Sequence, residues 1–214
     1  MVAGHIGDNP LMTMPMFRGT RTRGALLLAD ISGYTGFLNG VEIAHRDLFL
    51  DASEPPGAYA YVSDLLDRIV SVLVPPFQLV KFEGDAVFAV AAEPEAAIHG
   101  PALLACLRAC NNAFQVGLAR AKAESTCECG SCSRIDQLSL KFVLHHGEYT
   151  TQRIVGREEL AGPDVIVAHR LLKNHARDLV GGRPYALMTD VALQALEVPA
   201  DEESEPQVVG VGTP

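Results

Sequence analysis

The sequence predicts an α+β fold in which helices pack on a mainly antiparallel sheet, and three observations support this prediction. Short apolar runs suited to strands alternate with longer segments whose apolar residues recur at helical spacing. Turn residues join two pairs of strand-like runs into hairpins. The resulting order of strand, helix pair, hairpin, helix, hairpin, helix and strand contains a ferredoxin-like βαββαβ core with additions.

The first part of the chain contains the strand around which the other elements are ordered. A buried strand is predicted for residues 25–29, an apolar run that ends at Asp30 before a glycine-containing turn. A helix follows over residues 35–50, and a proline-rich loop over residues 53–57 ends it. A second helix, which is amphipathic, is predicted from Ala58 to the pair Pro75-Pro76.

The middle of the chain supplies a hairpin and a long helix. Residues 78–90 contain two β-prone runs, one on each side of Gly84-Asp85. This pair of residues favours a turn, so a hairpin is predicted. Residues 95–123 are predicted to be helical. The inner side of this helix is expected to carry its apolar residues, among them Ile98, Leu103, Leu107, Phe114 and Leu118.

The last part of the chain predicts another hairpin and further helices. The hairpin spans residues 138–155 and turns at Gly147-Glu148. A helix over residues 164–175 begins with Asp164 as its N-cap. The final elements are a strand over residues 185–188 and a short helix that Thr189 caps.

Length and composition limit the possible classes of protein. With 214 residues, 48% of them hydrophobic, the chain is long enough for one well-filled core and too apolar to be disordered. We expect residues 1–20 to form a flexible arm, residues 21–198 a single domain and residues 199–214 a flexible tail.

Charge and hydropathy indicate where the protein works and what it does not bind. A net charge of −9 argues against nucleic acid as a partner, because phosphate backbones need basic patches. No apolar run approaches the roughly 18 residues that a membrane span needs, and the N-terminus lacks a signal-peptide pattern. We therefore expect a cytoplasmic protein without a membrane partner, whose five cysteines are reduced or bound to metal.

Asp30 is the first candidate functional residue. A carboxylate at the end of a buried strand, followed by a turn with free backbone N–H groups, can hold a divalent cation beside phosphate oxygens. The alternatives are that Asp30 caps the next helix or lies at a solvated strand end. Asp85 could likewise be a hairpin-turn residue without a functional role, because Gly-Asp is common in turns.

Three cysteines within six residues form a second candidate site, in the segment Cys127-Glu128-Cys129-Gly130-Ser131-Cys132. One loop can hold a metal through three thiolates, and zinc is the metal expected. The fourth ligand could be Cys110 in the preceding helix, or His145 or His146 on the following strand. The alternatives are reduced loop cysteines or a disulfide between two of them.

Four segments of the chain form a recognisable set, at residues 28–35, 81–85, 141–148 and 162–174. They resemble the signature segments of the class III adenylyl and guanylyl cyclase homology domain, and the agreement in order and spacing runs from about residue 25 to residue 196. A closer resemblance is to an uncharacterised bacterial subgroup of that superfamily, in which similar segments accompany a cysteine cluster.

This resemblance implies a metal site shared by two carboxylates, Asp30 and Asp85, which would hold Mg²⁺ or Mn²⁺. The Ile31 carbonyl would be a further oxygen ligand, and the backbone around Gly33 and Tyr34 would lie near the phosphates. Two metal ions held in this way stabilise both the attacking and the leaving oxygen when a ribose hydroxyl displaces pyrophosphate.

The resemblance also implies residues that recognise and convert the nucleotide. Lys81 matches the lysine that reads adenine, Glu159 falls at the purine-selecting aspartate, and Arg170 matches the arginine that stabilises the transition state. The family's catalytic asparagine, one helical turn before Arg170, is Ile166 here. From the residues alone, Lys81 could face solvent, and Arg170 could pair with Asp164 or Glu159.

Two functions follow from the resemblance. One is a nucleotide cyclase-like protein that binds a purine nucleoside triphosphate with a divalent metal and converts ATP to cyclic AMP and pyrophosphate. The other is a catalytically degenerate domain for nucleotide binding or protein interaction, because isoleucine at position 166 cannot orient a ribose by hydrogen bonding. Active sites of this family form between two chains, so a homodimer is implied in either case.

Overall fold

The computed structural model describes residues 19–47, 56–93, 98–199 and 207–211. Its strands are β1 (Gly19–Ser32), β2 (Gln78–Glu83), β3 (Ala86–Ala92), β4 (Ser139–Ile154), β5 (Arg157–Ala161), β6 (Tyr185–Thr189) and β7 (Gln207–Val211). The α-helices of this part of the chain are α1 (Tyr34–Ala44), α2 (Gly57–Leu73), α3 (Gly100–Glu124), α4 (Pro163–Leu171), α5 (Ala176–Leu179) and α6 (Asp190–Ala195). A 3₁₀ helix spans Cys132–Gln137.

The seven strands form one sheet in the order β2-β3-β1-β4-β6-β7, and β5 pairs with β4. The pairs β4–β6 and β6–β7 are parallel, and the other four pairs are antiparallel. The order β2-β3-β1-β4 is that of a ferredoxin-like core, so the predicted α+β fold with a mainly antiparallel sheet is confirmed.

The apolar run in β1 has helices on both of its sides. Leu27 and Ala29 face a cluster that contains buried residues of α1, α2 and α3, while Leu26 and Leu28 face a cluster that contains buried residues of α4 and α5. Because successive side chains of a strand alternate, burial on both faces requires an uninterrupted apolar sequence. We call the face covered by α4 and α5 the second face.

Several predicted elements are confirmed. The hairpin of β2 and β3 turns at Gly84-Asp85, and α2 ends at Leu73, ahead of the two prolines. The Thr189 hydroxyl accepts a hydrogen bond from the Ala192 N–H at 3.2 Å and so caps α6. The predicted inner residues of the long helix are buried, although α3 begins at Gly100 and Ile98 precedes it.

The predicted turn at Gly147-Glu148 is wrong, because β4 runs straight through it. Gly147 lies opposite Gly24 of β1, and the chain turns only at Val155-Gly156. Glycine serves another purpose here, since a Cβ on Gly147 would overlap with the carboxylate of Asp164. Close packing and a turn both favour glycine, and the sequence does not distinguish them.

The predicted helix over residues 164–175 is shorter in the structure. Gly162 is the N-cap of α4, and Asp164 lies in its first turn, where its Oδ2 accepts the Glu148 N–H at 2.7 Å. Asn174 separates α4 from α5: its Nδ2 donates to the Leu171 carbonyl at 2.6 Å, and its Oδ1 accepts the Ala176 N–H at 2.8 Å. This short polar side chain competes successfully with the helix backbone.

Some predictions fall on chain ends and loops. Residues 1–18, 48–55, 94–97, 200–206 and 212–214 lie outside the described residues, and the predicted domain bounds stay a prediction. Residues 207–211, within the predicted tail, form β7 and pair with β6. None of the described helices is both long enough and apolar enough to span a bilayer.

Candidate functional site

Asp30 lies at the end of β1 on the second face, two positions after Leu28. Lys141 of β4 is directly opposite it in the strand register, and its Nζ lies 2.8 Å from Asp30 Oδ2. The Lys141 Nζ also donates to the Leu172 carbonyl at 3.2 Å. The Asp30 and Lys141 side chains are 16% and 17% exposed, so this ion pair is largely shielded from water. Sequence reasoning did not assign Lys141 to the site, because only the register of β1 and β4 identifies it.

Asp85 lies in the turn between β2 and β3, close to Asp30. Burial raises the pKa of Asp85 from its ordinary value of 3.8 to about 6, and the negative charge of Asp30 contributes in the same direction. The Lys141 ammonium opposes the shift. The structure therefore brings the two predicted carboxylates together, with more negative charge than Lys141 compensates.

Tyr34 and Gly33 lie beside this carboxylate pair. Burial raises the pKa of the Tyr34 phenol, and the charge of Asp85 raises it further. Gly33 adopts φ 93° at the N-cap of α1, a left-handed conformation that glycine tolerates without strain. Ile31 follows the last β1–β3 pair, Asp30–Ala86, and lies opposite Leu140 of β4.

A cleft of about 250 Å³ opens next to Gly33. Gly33, Gly36 and Phe37 line one side of it, and two arginines, Arg134 and Arg177, are among the other lining residues. The N-terminus of α1 and the two guanidinium groups give this cleft an electropositive character that suits an anion. Neither arginine was singled out by the sequence, since both belong to elements without a recognisable motif.

Lys81 forms a second polar group on the same face. Its Nζ lies 2.8 Å from Glu159 Oε2 and 3.1 Å from Glu83 Oε1. These two carboxylates raise the pKa of Lys81, the hydrogen bond with Glu159 most strongly, although burial acts against them. His169 continues the group, because its Nε2 lies 2.9 Å from Glu83 Oε2 and its ring packs edge-on against Phe88.

The structure brings together the two residues that the resemblance assigned separately to the base. Lys81 is about one third exposed and is held by two carboxylates, one of which is Glu159. Glu159 also lines an open cleft whose other walls include Gln152, Ile154 and Leu160.

Arg170 and Ile166 are one turn apart on the outer side of α4. Both side chains are exposed, and Ile166 is 54% exposed. Within the described part of the chain, Arg170 forms no ion pair with Asp164 or Glu159. These two residues therefore face outward, where a second chain could reach them.

The predicted thiol cluster has a different fourth member. Cys127, Cys129 and Cys132 lie with His45, and the ligand atoms of all four are within 4.8 Å of one another. The prediction of Cys110 as a member is wrong, because this residue is fully buried in α3 and its thiol points to the Ile69 carbonyl at 3.8 Å. His45 was missed because 82 residues separate it from Cys127.

The two histidines considered as fourth ligands are also occupied elsewhere. His145 Nε2 lies 3.2 Å from Asp164 Oδ1, and its Nδ1 lies 3.0 Å from the Thr189 hydroxyl. His146 Nε2 lies 2.8 Å from Glu93 Oε1. Adjacent residues of β4 point to opposite faces, so the two rings have separate surroundings.

Sequence comparisons identify the family and one relative. Residues 62–178 match a family described as "protein of unknown function (DUF2652)". An uncharacterized protein of Mycobacterium tuberculosis, Rv2561/Rv2562, is 36% identical over 138 residues. The match covers 64% of this chain and 60% of that protein, so the chain spans about three fifths of its relative.

Solved structures of similar fold are nucleotide cyclases and a cyclase-like protein. The guanylyl cyclase Cya2 has a TM-score of 0.59 at 14% identity, covering 83% of this chain and 80% of that one. The adenylyl cyclase CyaB from P. aeruginosa has a TM-score of 0.57 at 14% identity, with coverage of 84% and 83%. A class III adenylyl cyclase-like ATP-binding protein from Pseudomonas aeruginosa has a TM-score of 0.55 at 18% identity, with coverage of 88% and 38%.

These likenesses establish the fold and confirm the predicted resemblance at that level. The family match covers more than half of the chain, from within α2 to within α5, and includes Lys81, Asp85, Glu159 and Arg170. With the fold of a class III nucleotide cyclase homology domain, this chain belongs to the DUF2652 family.

Proposed function

We propose that this protein binds a purine nucleoside triphosphate together with Mg²⁺ or Mn²⁺ on the second face of its sheet. The observation that carries the proposal is the carboxylate pair Asp30–Asp85, in which the charge of one acid helps to raise the pKa of the other to about 6. Two carboxylates with a partial surplus of negative charge attract a hard divalent cation.

The donor set fits magnesium or manganese. Asp30, Asp85 and the backbone carbonyl of Ile31 offer oxygen atoms only, which these ions prefer to nitrogen or sulfur. The bound metal would supply Lewis-acid stabilisation to phosphate oxygens. In the protein without metal, Lys141 holds Asp30 at 2.8 Å and so keeps its carboxylate oriented.

The cleft beside Gly33 suits the phosphates of the ligand. The free backbone N–H groups at the start of α1 and the guanidinium groups of Arg134 and Arg177 can donate to phosphate oxygens. Local donors in this cleft, rather than a broad basic surface, would therefore hold a triphosphate on a protein whose net charge is negative.

The Lys81–Glu159 pair suits the base. A lysine donates only, and a carboxylate accepts only, so together they present one donor and one acceptor to a purine edge. Glu83 and His169 act as positioning residues. Glu83 contacts Lys81 directly, and His169 holds Glu83 in place from its other side.

Turnover is the second candidate function, and Arg170 favours it. Its exposed guanidinium on α4 is available to stabilise charge that develops on a phosphate held by a second chain. Conversion of ATP to cyclic AMP and pyrophosphate would require this chain to act as a homodimer. Ile166 favours the alternative, a degenerate domain that binds nucleotide or a protein partner without turnover.

The proposal has two further parts. We infer a cytoplasmic location, because nucleoside triphosphates and reduced thiols are found there. We also infer that the thiols of Cys127, Cys129 and Cys132 bind a second kind of metal, zinc, because thiolates favour it over magnesium.

Thermal unfolding with ATP or GTP, each with and without Mn²⁺, tests the binding proposal. A ligand at 100 times its Kd stabilises the folded state by about 2.7 kcal/mol, or roughly 5–11 °C for a chain of this size. We expect this shift only when nucleotide and Mn²⁺ are both present. Asp85→Asn should abolish it, while the matched control Asp67→Asn, on the exposed side of α2, should keep it. No shift with any triphosphate would overturn the proposal and leave an interaction domain.

Incubation with ATP and Mn²⁺, followed by measurement of cyclic AMP, tests turnover. Activity that Arg170→Ala removes without changing the nucleotide-dependent thermal shift would assign the arginine to the transition state. Binding without any cyclic AMP would exclude the cyclase and support the degenerate domain.

A further inference from the structure

The thiol cluster has features of a built metal site at the junction of two elements. His45 is the C-cap residue of α1, and the three cysteines belong to the loop after α3, which we call the Cys loop (residues 127–132). The His45 Nε2 lies 3.1 Å from the Cys127 Sγ. Ligands of a tetrahedral zinc ion lie about 3.5–3.8 Å apart, which is the scale of the separations in this cluster.

A second observation concerns the orientation of the imidazole. The Nδ1 of His45 lies 2.9 Å from the Val41 carbonyl, which can only accept a hydrogen bond, so Nδ1 carries the proton. The Nε2 lone pair is then directed to the thiols. Metal-binding histidines commonly have their other ring nitrogen fixed by such a carbonyl.

The backbone of the Cys loop is also folded around the thiols. The Cys132 N–H donates to Cys129 Sγ at 3.3 Å, so the loop already turns one of its backbone donors toward a sulfur of the cluster. Together with the His45 imidazole, this places all four ligand atoms within 4.8 Å of one another before any ion is bound.

From this geometry we infer that the chain binds one Zn²⁺ through His45 Nε2 and the thiolates of Cys127, Cys129 and Cys132, as a closed structural site that fastens α1 to the Cys loop. Four protein ligands leave no position open for substrate, which is the mark of a structural zinc site. Binding releases the protons of those thiols that were not yet ionised. This inference rests on the zinc part of the proposed function, to which it adds His45 and the structural role, and it is independent of the nucleotide part.

The two elements that zinc would join also form walls of the cleft beside Gly33. Gly36 and Phe37 come from α1, whereas Ser131 and Arg134 come from the Cys loop and the 3₁₀ helix that follows it. The Arg134 Nε donates to the Gly130 carbonyl at 2.6 Å, which ties the arginine to the Cys loop. A zinc ion would therefore fix the separation of the two walls, and with it the position of Arg134.

The test begins with the metal content of the full chain, purified without chelator from zinc-supplemented cells. We expect elemental mass spectrometry to measure about one zinc ion per chain. Replacement of zinc by Co²⁺ should give the absorption of a tetrahedral thiolate site. His45→Ala should lower zinc affinity roughly 100-fold. His45→Cys should restore it, because a fourth thiolate also completes the site.

The matched control is Cys106→Ser, since Cys106 is a partly buried cysteine of α3 outside the cluster. This variant should keep the zinc content of the wild type, whereas Cys129→Ser should lose it. Far-ultraviolet circular dichroism establishes that each variant is folded.

Two results would overturn the inference. One is a folded wild-type chain that takes up neither zinc nor Co²⁺, with its three thiols free or joined in a disulfide. The other is a folded His45→Ala variant that binds zinc as tightly as the wild type. Neither readout involves nucleotide, so failure of the zinc site and failure of nucleotide binding are distinguishable.

Discussion

At the scale of single residues, the candidate site depends on how charge is balanced around Asp85. This acid is half-buried, lies beside Asp30, and is only partly compensated by Lys141, so its pKa is raised to about 6. A raised carboxyl pKa means that the folded chain binds a proton more tightly than the unfolded chain does. Asp85 therefore stabilises the fold most below its ordinary pKa of 3.8, and this contribution is lost as the pH rises through about 6.

We predict that Asp85→Asn stabilises the protein without added Mg²⁺ or Mn²⁺ at pH 8, by about 1 kcal/mol after allowance for partial exposure. The difference from the wild type should shrink as the pH falls below about 6, where Asp85 is itself neutral. Urea unfolding at several pH values measures it. A difference independent of pH would contradict the assigned pKa.

Ile166 gives a second prediction at this scale. Its side chain is 54% exposed, one turn before Arg170, so a polar replacement creates no buried cavity. Ile166→Asn supplies the amide that the cyclase family has at this position. We expect cyclic AMP formation to rise by about 10-fold or more, because a positioning contact is gained, while stability changes by less than about 0.5 kcal/mol.

Ile166→Ser is a suitable control for the Ile166→Asn experiment, since it removes the apolar side chain without supplying the amide. Equal rates for the two variants would mean that loss of isoleucine, and not ribose positioning, accounts for any gain. No gain with asparagine would support the degenerate domain.

At the scale of elements, the close approach of α1 and the Cys loop holds His45 next to the thiols. Gly40 makes this approach possible, because a Cβ at this position would overlap with the Ser131 hydroxyl. Gly36, one turn earlier on the same helix, has open space around it. The two glycines therefore provide an internal comparison of packing with helix propensity.

We predict that Gly40→Ala separates α1 from the Cys loop, lowers zinc affinity and destabilises the zinc-loaded protein by about 1–3 kcal/mol. Gly36→Ala should leave zinc affinity unchanged and stabilise the protein by about 0.5–1 kcal/mol, since alanine is the better helix former. Competition with a zinc-binding dye and thermal unfolding measure the two effects. Equal behaviour of the two variants would contradict the role given to the Gly40–Ser131 contact.

At the scale of the whole molecule, the candidate site is divided into parts. The carboxylate pair and the Lys81–Glu159 pair both lie on the second face, while Arg170 points outward from α4. We propose that a two-fold homodimer brings the outward-facing Arg170 of one chain to the second face of the other, so that each site is composite.

We predict that two inactive variants complement each other. Asp30→Ala with Asp85→Ala removes the metal half of each site, and Lys81→Ala with Arg170→Ala removes the other half. Neither double variant alone should bind nucleotide with Mn²⁺. An equimolar mixture should regain about a quarter of the wild-type number of sites, because half of the dimers are mixed and each has one intact site. Equilibrium dialysis counts the sites; a mixture that binds nothing would place the whole site within one chain.

The sequence by itself determined the fold class and the order of most elements. The uninterrupted apolar run of β1, the hairpin at Gly84-Asp85 and the cap at Thr189 have local signals that tertiary contacts did not override. It also identified Asp30 and Asp85 as candidates, because the cyclase-like segments are recognisable before any contact is known.

Only the tertiary structure decided which residues meet. Lys141 joins Asp30 through the register of two strands, and His45 joins three cysteines across 82 residues, neither of which leaves a local signal. The turn predicted at Gly147 and the uninterrupted helix predicted through Asn174 were wrong for the same reason. Glycine is favoured equally by turns and by close packing, and asparagine ends a helix only where its hydrogen bonds are satisfied. A chain specifies such contacts through the fold as a whole, because their energies depend on neighbours distant in sequence.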